Sequence, residues 1–191
     1  MSNYTINKPK ETKVILVNGY KRSGKDYVSQ IIKSELEKRD KSVSTIAFAD
    51  AMKNILSSTF KLDVEELDDL KNNPDHLFSV DGGITEYNMR TIIVNFGQVI
   101  KQLFGSYFWR DIVIKYIKEN EFDYVIVTDF RFPDEYIDGY CVYIKNDDIE
   151  QDKSEITENS MNDWKFDFVI DNTGKPSNDV LIEQITEMLK N

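Results

Sequence analysis

Residues 14–26 read VILVNGYKRSGKD, and no other stretch limits the fold as strongly. Val14, Ile15, Leu16 and Val17 form a short apolar run that leads to Gly19, four variable residues, and then Gly24-Lys25. Behind the loop, Val28, Ile31, Ile32 and Leu36 recur at helical spacing. Strand, glycine loop and helix in that order are the context of a phosphate-binding P-loop. Glycines let successive backbone N–H groups turn inward, and the helix N-terminus adds the positive end of its dipole. Lys25 is placed to reach β- and γ-phosphates as a mobile point charge. Asp26 stands where a P-loop ordinarily carries Ser or Thr for magnesium. Its carboxylate can hold magnesium, directly or through water, or simply charge the first helical turn. Lys21 and Arg22 either extend the basic pocket or are solvated loop charges.

The chain of 191 residues is long enough for one domain with a real core. A formal net charge of −10 repels long polyanions, so no nucleic acid polymer is expected as a partner. A small anion can still bind the local cluster of Lys21, Arg22 and Lys25. No apolar run approaches the roughly 20 residues of a membrane span. The first residues, MSNYTINKPKETK, lack the apolar centre of a signal peptide, and 1–12 read as a loose arm. One cysteine, Cys141, excludes a disulfide framework or a cysteine zinc site, and a lone His76 argues against a multi-histidine metal site. These features together suggest a cytosolic protein.

Further along, 43–48 read as a strand and 50–60 as a helix with Met52, Ile55, Leu56 and Phe60 on one side. Residues 62–74 are dense in acids, read as a solvated face. Asp81-Gly82-Gly83 marks a turn, either a small hairpin or a mobile loop. Residues 91–103 and 110–119 are helical by periodicity, with Gly105 breaking between them. Residues 124–128 form a continuous apolar run typical of a central parallel strand, and 140–144 and 168–170 are further strands. A closing helix carries Leu181, Ile182, Ile185, Met188 and Leu189. The segment about 145–165 is polar and irregular, a candidate lid, and about 61–90 a candidate substrate-side insertion. Five buried strands alternating with helices predict an α/β fold with a mainly parallel sheet. In such sheets ligands bind beyond the carboxyl ends of the strands. The P-loop and the Asp129–Arg131 turn both follow strands, so both are predicted on that edge.

Asp129 ends an apolar strand, where a carboxylate either orients magnesium through water or caps the turn. Arg131 either holds a phosphate bidentately or pairs with Asp134 or Glu135. Arg90 and Arg110 are either clamps on an acceptor phosphate or surface charge. Tyr87, Phe104, Tyr107, Phe108 and Trp109 are core packing, or in part a surface on which a base stacks.

These segments carry a resemblance. GYKRSGKD, the RTIIVNFGQ helix, the tryptophan opening the next helix, TDFRFPDE and FVIDNTGK resemble the deoxynucleoside monophosphate kinases of tailed bacteriophages. The likeness runs from about residue 14 to the C-terminus. The Asp after the P-loop lysine is similar to that family and also to phosphomevalonate kinase. The resemblance implies a single domain over 1–191 with a three-layer α/β/α P-loop NTPase fold, nucleoside monophosphate kinase-like. It implies transfer of the γ-phosphate of ATP, with Mg2+, to a deoxynucleoside monophosphate in the host cytoplasm. By this likeness Gly19, Lys21, Arg22, Ser23, Gly24, Lys25 and Asp26 meet ATP, and Asn172 and Gly174 lie in the loop that meets adenine. Lys25, Asp129 and Arg131 would be catalytic, with Asp26 and Asp129 toward the metal. Arg90, Trp109, Arg110 and Arg131 would face the substrate. Ser154-Glu155 echoes a lid motif, but the arginines of adenylate-kinase-like lids are missing from 145–165. A homodimer remains open. Two other functions compete: a small-metabolite kinase of phosphomevalonate type, and an ATP-binding module without phosphoryl transfer. GTPase switching is disfavoured because no N-K-x-D motif occurs.

Overall fold

The computed structural model describes residues 11–80, 83, 85–149 and 160–190. Residues 1–10 of the proposed arm, Asp81 and Gly82 of the glycine turn, and Ser154-Glu155 lie outside the described residues. The chain groups into two compact units, one of residues 1–47 and 114–191, the other of residues 48–113.

The first unit is built on five strands: β1 (Lys13–Asn18), β2 (Val43–Ile46), β5 (Tyr124–Val127), β6 (Tyr140–Lys145) and β7 (Phe168–Asp171). Their spatial order is β2-β5-β1-β6-β7, and every pairing is parallel. The apolar runs of β1 and β5 are written so because a parallel strand covered on both faces tolerates no polar side. β1 is central: Val14, Ile15, Leu16 and Val17 are buried. Side chains alternate between faces along each strand. Ile15 and Val17 of β1, Ile126, Val142, Ile144 and Ile170 cluster with Val28, Ile32 and Leu36 of α1 (Lys25–Glu37). Leu181, Ile185 and Met188 of α6 (Asn178–Met188) complete that cluster. The helical spacing seen after the P-loop is therefore the stripe that α1 lays on the sheet. Cys141 is buried in β6, and burial pushes its thiol up to about 11, against the indole of Trp164.

β2 stops at Ile46 rather than residue 48. Its last rung is the bond from Thr128 N to Ile46 O, and Phe48 already opens a helix.

The second unit holds α2 (Phe48–Phe60), α3 (Val64–Asn72), the hairpin β3 (Leu77–Val80) and β4 (Thr85–Asn88), and α4 (Met89–Phe104). The hairpin is antiparallel, with Leu77 opposite Asn88. Leu56, Leu67, Met89 and Ile93 form its core, with Met52, Phe60 and Phe78 packed around them. The acid-rich stretch is a helix. Asp63 and Glu66 close a reciprocal capping box, and Leu67 is fully buried. Glu65, Glu66 and Asp69 face solvent, whereas Asp68 pairs with Lys53 at 2.8 Å. α5 (Phe108–Glu119) has residues in both units; within the first, the hydroxyls of Tyr116 and Ser44 lie 2.8 Å apart. No helix of the described residues is long and apolar enough to cross a membrane.

Gly139 shows how tightly the central strands are set. A Cβ there would lie 2.4 Å from the carbonyl oxygen of Val14. Gly139→Ala must push β6 from β1, and a loss of about 1–3 kcal/mol is expected from overpacking. Urea titration of the folded variant measures it.

Candidate active site

The P-loop leaves β1 at its carboxyl end. Asn18, the last residue of β1, is polar, buried and committed: its Nδ2 donates to Phe130 O at 2.6 Å. In return Phe130 N donates to Val17 O at 3.1 Å. This reciprocal pair joins the start of the P-loop to the turn that follows β5. The P-loop and the Asp129–Arg131 turn thus share one edge of the sheet, as the strand order predicts.

Within the loop, Ser23 N donates to Tyr20 O at 3.0 Å, and Lys25 Nζ donates to Gly19 O at 2.6 Å and Tyr20 O at 2.8 Å. The lysine thus lies folded over its own loop. Arg22 adopts φ 66° and, like Lys21, is exposed. Ser23 is 1 % exposed, and among the described residues its hydroxyl has no hydrogen-bond partner. Gly19 is required by contact, because a Cβ there would lie 2.6 Å from that hydroxyl and 2.7 Å from Ile144 O. Asp26 is exposed in the first turn of α1, whose N-cap, Gly24, has no side chain to offer. Asp26 therefore supplies the only carboxylate in that turn.

Asn172, after β7, is not free to reach outward with its amide. Its Nδ2 donates to Ser23 O at 2.8 Å, and its backbone N donates to Lys145 O. It braces the P-loop from behind. Gly174 N donates to Asp148 Oδ2 at 2.7 Å, which ties this loop to the end of β6. The hydroxyl and amide of Thr173 hold the Asp171 carboxyl below its ordinary range, with Lys145 adding to the effect.

Asp129 is half-buried after β5. Arg131 is half-buried. Glu135 accepts from the backbone N–H groups of Arg131 and Phe132, at 2.8 and 3.0 Å. Sequence reasoning weighed Glu135 only as a side-chain partner. The signal was present as a carboxylate three residues after Phe132 with Pro133 between, the pattern of a capped helical start.

Arg90, Trp109 and Arg110 belong to the second unit. Arg90 is half-buried in the first turn of α4, which Asn88 caps by accepting from Thr91 N. Arg110 binds Asp111 through Nε and one terminal nitrogen, at 3.2 and 3.0 Å, and lies 4.1 Å over the Tyr107 ring. Trp109 is buried, and its indole N–H donates to Gly97 O. Tyr87, Phe104 and Tyr107 are exposed, so the aromatic group of that unit divides between core and surface.

The phosphomevalonate kinase family model matches residues 17–138, well over half of the chain. The chain belongs to the phosphomevalonate kinase family. The matched span includes the P-loop, Asp26, Asp129 and Arg131, and stops short of Asn172 and Gly174. Membership makes the chain a P-loop kinase, with a nucleotide-binding loop on an α/β sheet. No curated protein matches the chain. Among solved structures, a mutant of the APS kinase CysC from Mycobacterium tuberculosis is similar at TM-score 0.46 and 14% identity. That alignment covers 96% of this chain and 100% of the other.

The Asn172 brace predicts the behaviour of Gly24. Gly24 adopts φ 91°, and a Cβ there would lie 2.3 Å from Asn172 Nδ2. Gly24→Ala must strain the loop by about 1–3 kcal/mol and displace the brace. The expected outcome is a folded protein with strongly weakened ATP binding, measured by isothermal titration calorimetry beside a thermal melt.

Proposed function

We propose that this kinase transfers the γ-phosphate of ATP to a phosphomonoester, forming a diphosphate and ADP. The single observation that carries the reading is the Asn18–Phe130 exchange, which sets a phosphate-binding loop and an arginine-bearing turn side by side. An acceptor oxygen attacks the γ-phosphorus while the bond to the β–γ bridging oxygen breaks, and the bridging oxygen leaves with ADP. Catalysis of such a transfer is chiefly positioning and charge stabilisation. Lys25 would exchange the Gly19 and Tyr20 carbonyls for phosphate oxygens. The loop amides of Lys21, Arg22, Gly24 and Lys25 would face the phosphates, while that of Ser23 holds the Tyr20 carbonyl and the buried Ser23 hydroxyl is available as a donor. Arg131 would hold the acceptor phosphate with its planar fork.

Magnesium, when bound with ATP, would neutralise charge on the β- and γ-phosphates. The residues fit it: one or two carboxylates beside substrate phosphates suffice. Asp26 at the start of α1 and Asp129 at the end of β5 lie on the same sheet edge.

Two acceptors meet this chemistry. Family membership supports a small phosphorylated metabolite of the phosphomevalonate type. A deoxynucleoside monophosphate is supported by TDFRFPDE and by FVIDNTGK, the latter beyond the matched span. A panel of phosphomevalonate and the four deoxynucleoside monophosphates, followed by ADP release, tests the reading. Turnover dependent on one class of phosphomonoester is expected; tight ATP binding with no acceptor-dependent turnover overturns it.

Lys25→Ala should lower kcat on the order of 10²–10³-fold, the scale of losing one transition-state charge donor. Wild-type kcat in the folded variant would remove the P-loop role. Arg131→Ala should raise the acceptor KM and lower kcat, a combined loss on the order of 10²-fold in kcat/KM, while ATP affinity holds. Arg131→Lys keeps the charge but not the fork and should also be poor. Steady-state kinetics with each substrate varied measures both.

A further inference from the structure

The turn after β5 contains a buried carboxylate that the proposed chemistry does not use. Glu135 is 6 % exposed, and its Oε2 accepts from Arg131 N at 2.8 Å and Phe132 N at 3.0 Å. On the far side of the same residue, Arg131 O accepts from the Ser160 hydroxyl. The preceding residue, Phe130, is fully buried and fixed at both ends, by Asn18 and by Val17. Both peptide groups that flank Arg131 are therefore anchored. Peptide planes are rigid, so anchoring two consecutive planes fixes the backbone dihedrals between them. Those dihedrals set the direction in which the Cα–Cβ bond of Arg131 leaves the backbone, and with it the rotamers open to the side chain.

A buried carboxylate is costly unless its oxygens are hydrogen-bonded. Bonds to a carboxylate from two backbone N–H groups offset part of that cost and are stronger than neutral bonds. An exposed loop would not need such a group to turn, and Pro133 already fixes one dihedral nearby. The carboxylate acts on the one residue of the turn that carries a guanidinium.

We propose that Glu135 is a positioning residue: by holding the two amides around Arg131 it aims that side chain, and so sets affinity for the acceptor phosphate without touching substrate. The inference rests on the acceptor role of Arg131 given above. A turn brace with no functional aim would alter stability alone.

The test compares Glu135→Gln, Glu135→Asp and Glu135→Ala in the full chain. Kinetics use whichever of phosphomevalonate and the deoxynucleoside monophosphates is phosphorylated, with ATP and acceptor varied separately. Gln keeps an acceptor oxygen at the same reach and should keep a near-wild-type acceptor KM. Asp is one methylene short and should raise the acceptor KM about tenfold or more, as misplacement of a clamp does, with the ATP KM unchanged. Ala should be at least as poor; if it does not fold, Asp against Gln decides. On an Arg131→Ala background, Glu135→Asp should raise the acceptor KM no further. A folded Asp variant with a wild-type acceptor KM overturns the proposal, as does an equal rise in both KM values. If Arg131→Ala itself leaves the acceptor KM unchanged, the acceptor role of Arg131 fails and this inference with it. A raised KM in Arg131→Ala beside a wild-type KM in Glu135→Asp overturns the Glu135 role alone.

Discussion

The exchange of hydrogen bonds between Asn18 and Phe130, and between Phe130 and Val17, is the constraint on which the candidate site depends. Parallel pairing of β1 with β5 ends at Leu16 and Val127. Beyond that point β1 remains paired with β6 through Val17 and Asn18, and Thr128 N donates to Ile46 O. The side chain of Asn18 adds a further bond from β1 to the turn after β5, at the Phe130 carbonyl. Leaving a buried polar group of this kind unpaired would cost about 1–3 kcal/mol. Asn18 thus stabilises and aligns at once: it sets the origin of the P-loop and the height of the turn that carries Asp129 and Arg131.

From that joint outward the loops are held by polar contacts together with aromatic packing on Phe130. Asn172 supports Ser23 from behind, and Glu135 holds the amides of Arg131 and Phe132. Ser160 and Trp164 close on the turn, the first through the Arg131 carbonyl and the second edge-on to Phe130. Meanwhile the loop glycines are set by contact, Gly19 against Ile144 and Gly24 against Asn172. Such an arrangement suits a site that must bind highly charged phosphates: the amides stay oriented before the ligand arrives, so less order is imposed on binding.

The centre of the sheet was legible because β1 and β5 are buried and written as unbroken apolar runs. The P-loop was legible because its glycines and lysine obey fixed spacing. α3 was missed because acids dominate residues 62–74, although Val64, Leu67 and Leu70 already recur every third position and Asp63-x-x-Glu66 is a capping box. The long-range partners were not legible at all. Asn18 and Phe130 are 112 residues apart, and Asn172 and Ser23 are 149 apart. Local pattern says that such residues are polar and well placed, but not what they hold. Arg110 shows the opposite case: its neighbours Tyr107 and Asp111 were in view, and it is those neighbours that occupy its guanidinium.

The central claim is that one sheet edge holds a donor and an acceptor phosphate together for direct transfer. Phosphorus NMR of a reaction mixture tests it most directly, because each phosphorus atom is followed by its own resonance. With ATP, magnesium and a phosphomonoester that the enzyme accepts, the account predicts loss of the γ-phosphate signal of ATP. Coupled doublets of a new diphosphate should appear in step with ADP. Release of inorganic phosphate in step with ADP, with no diphosphate doublets, would contradict it.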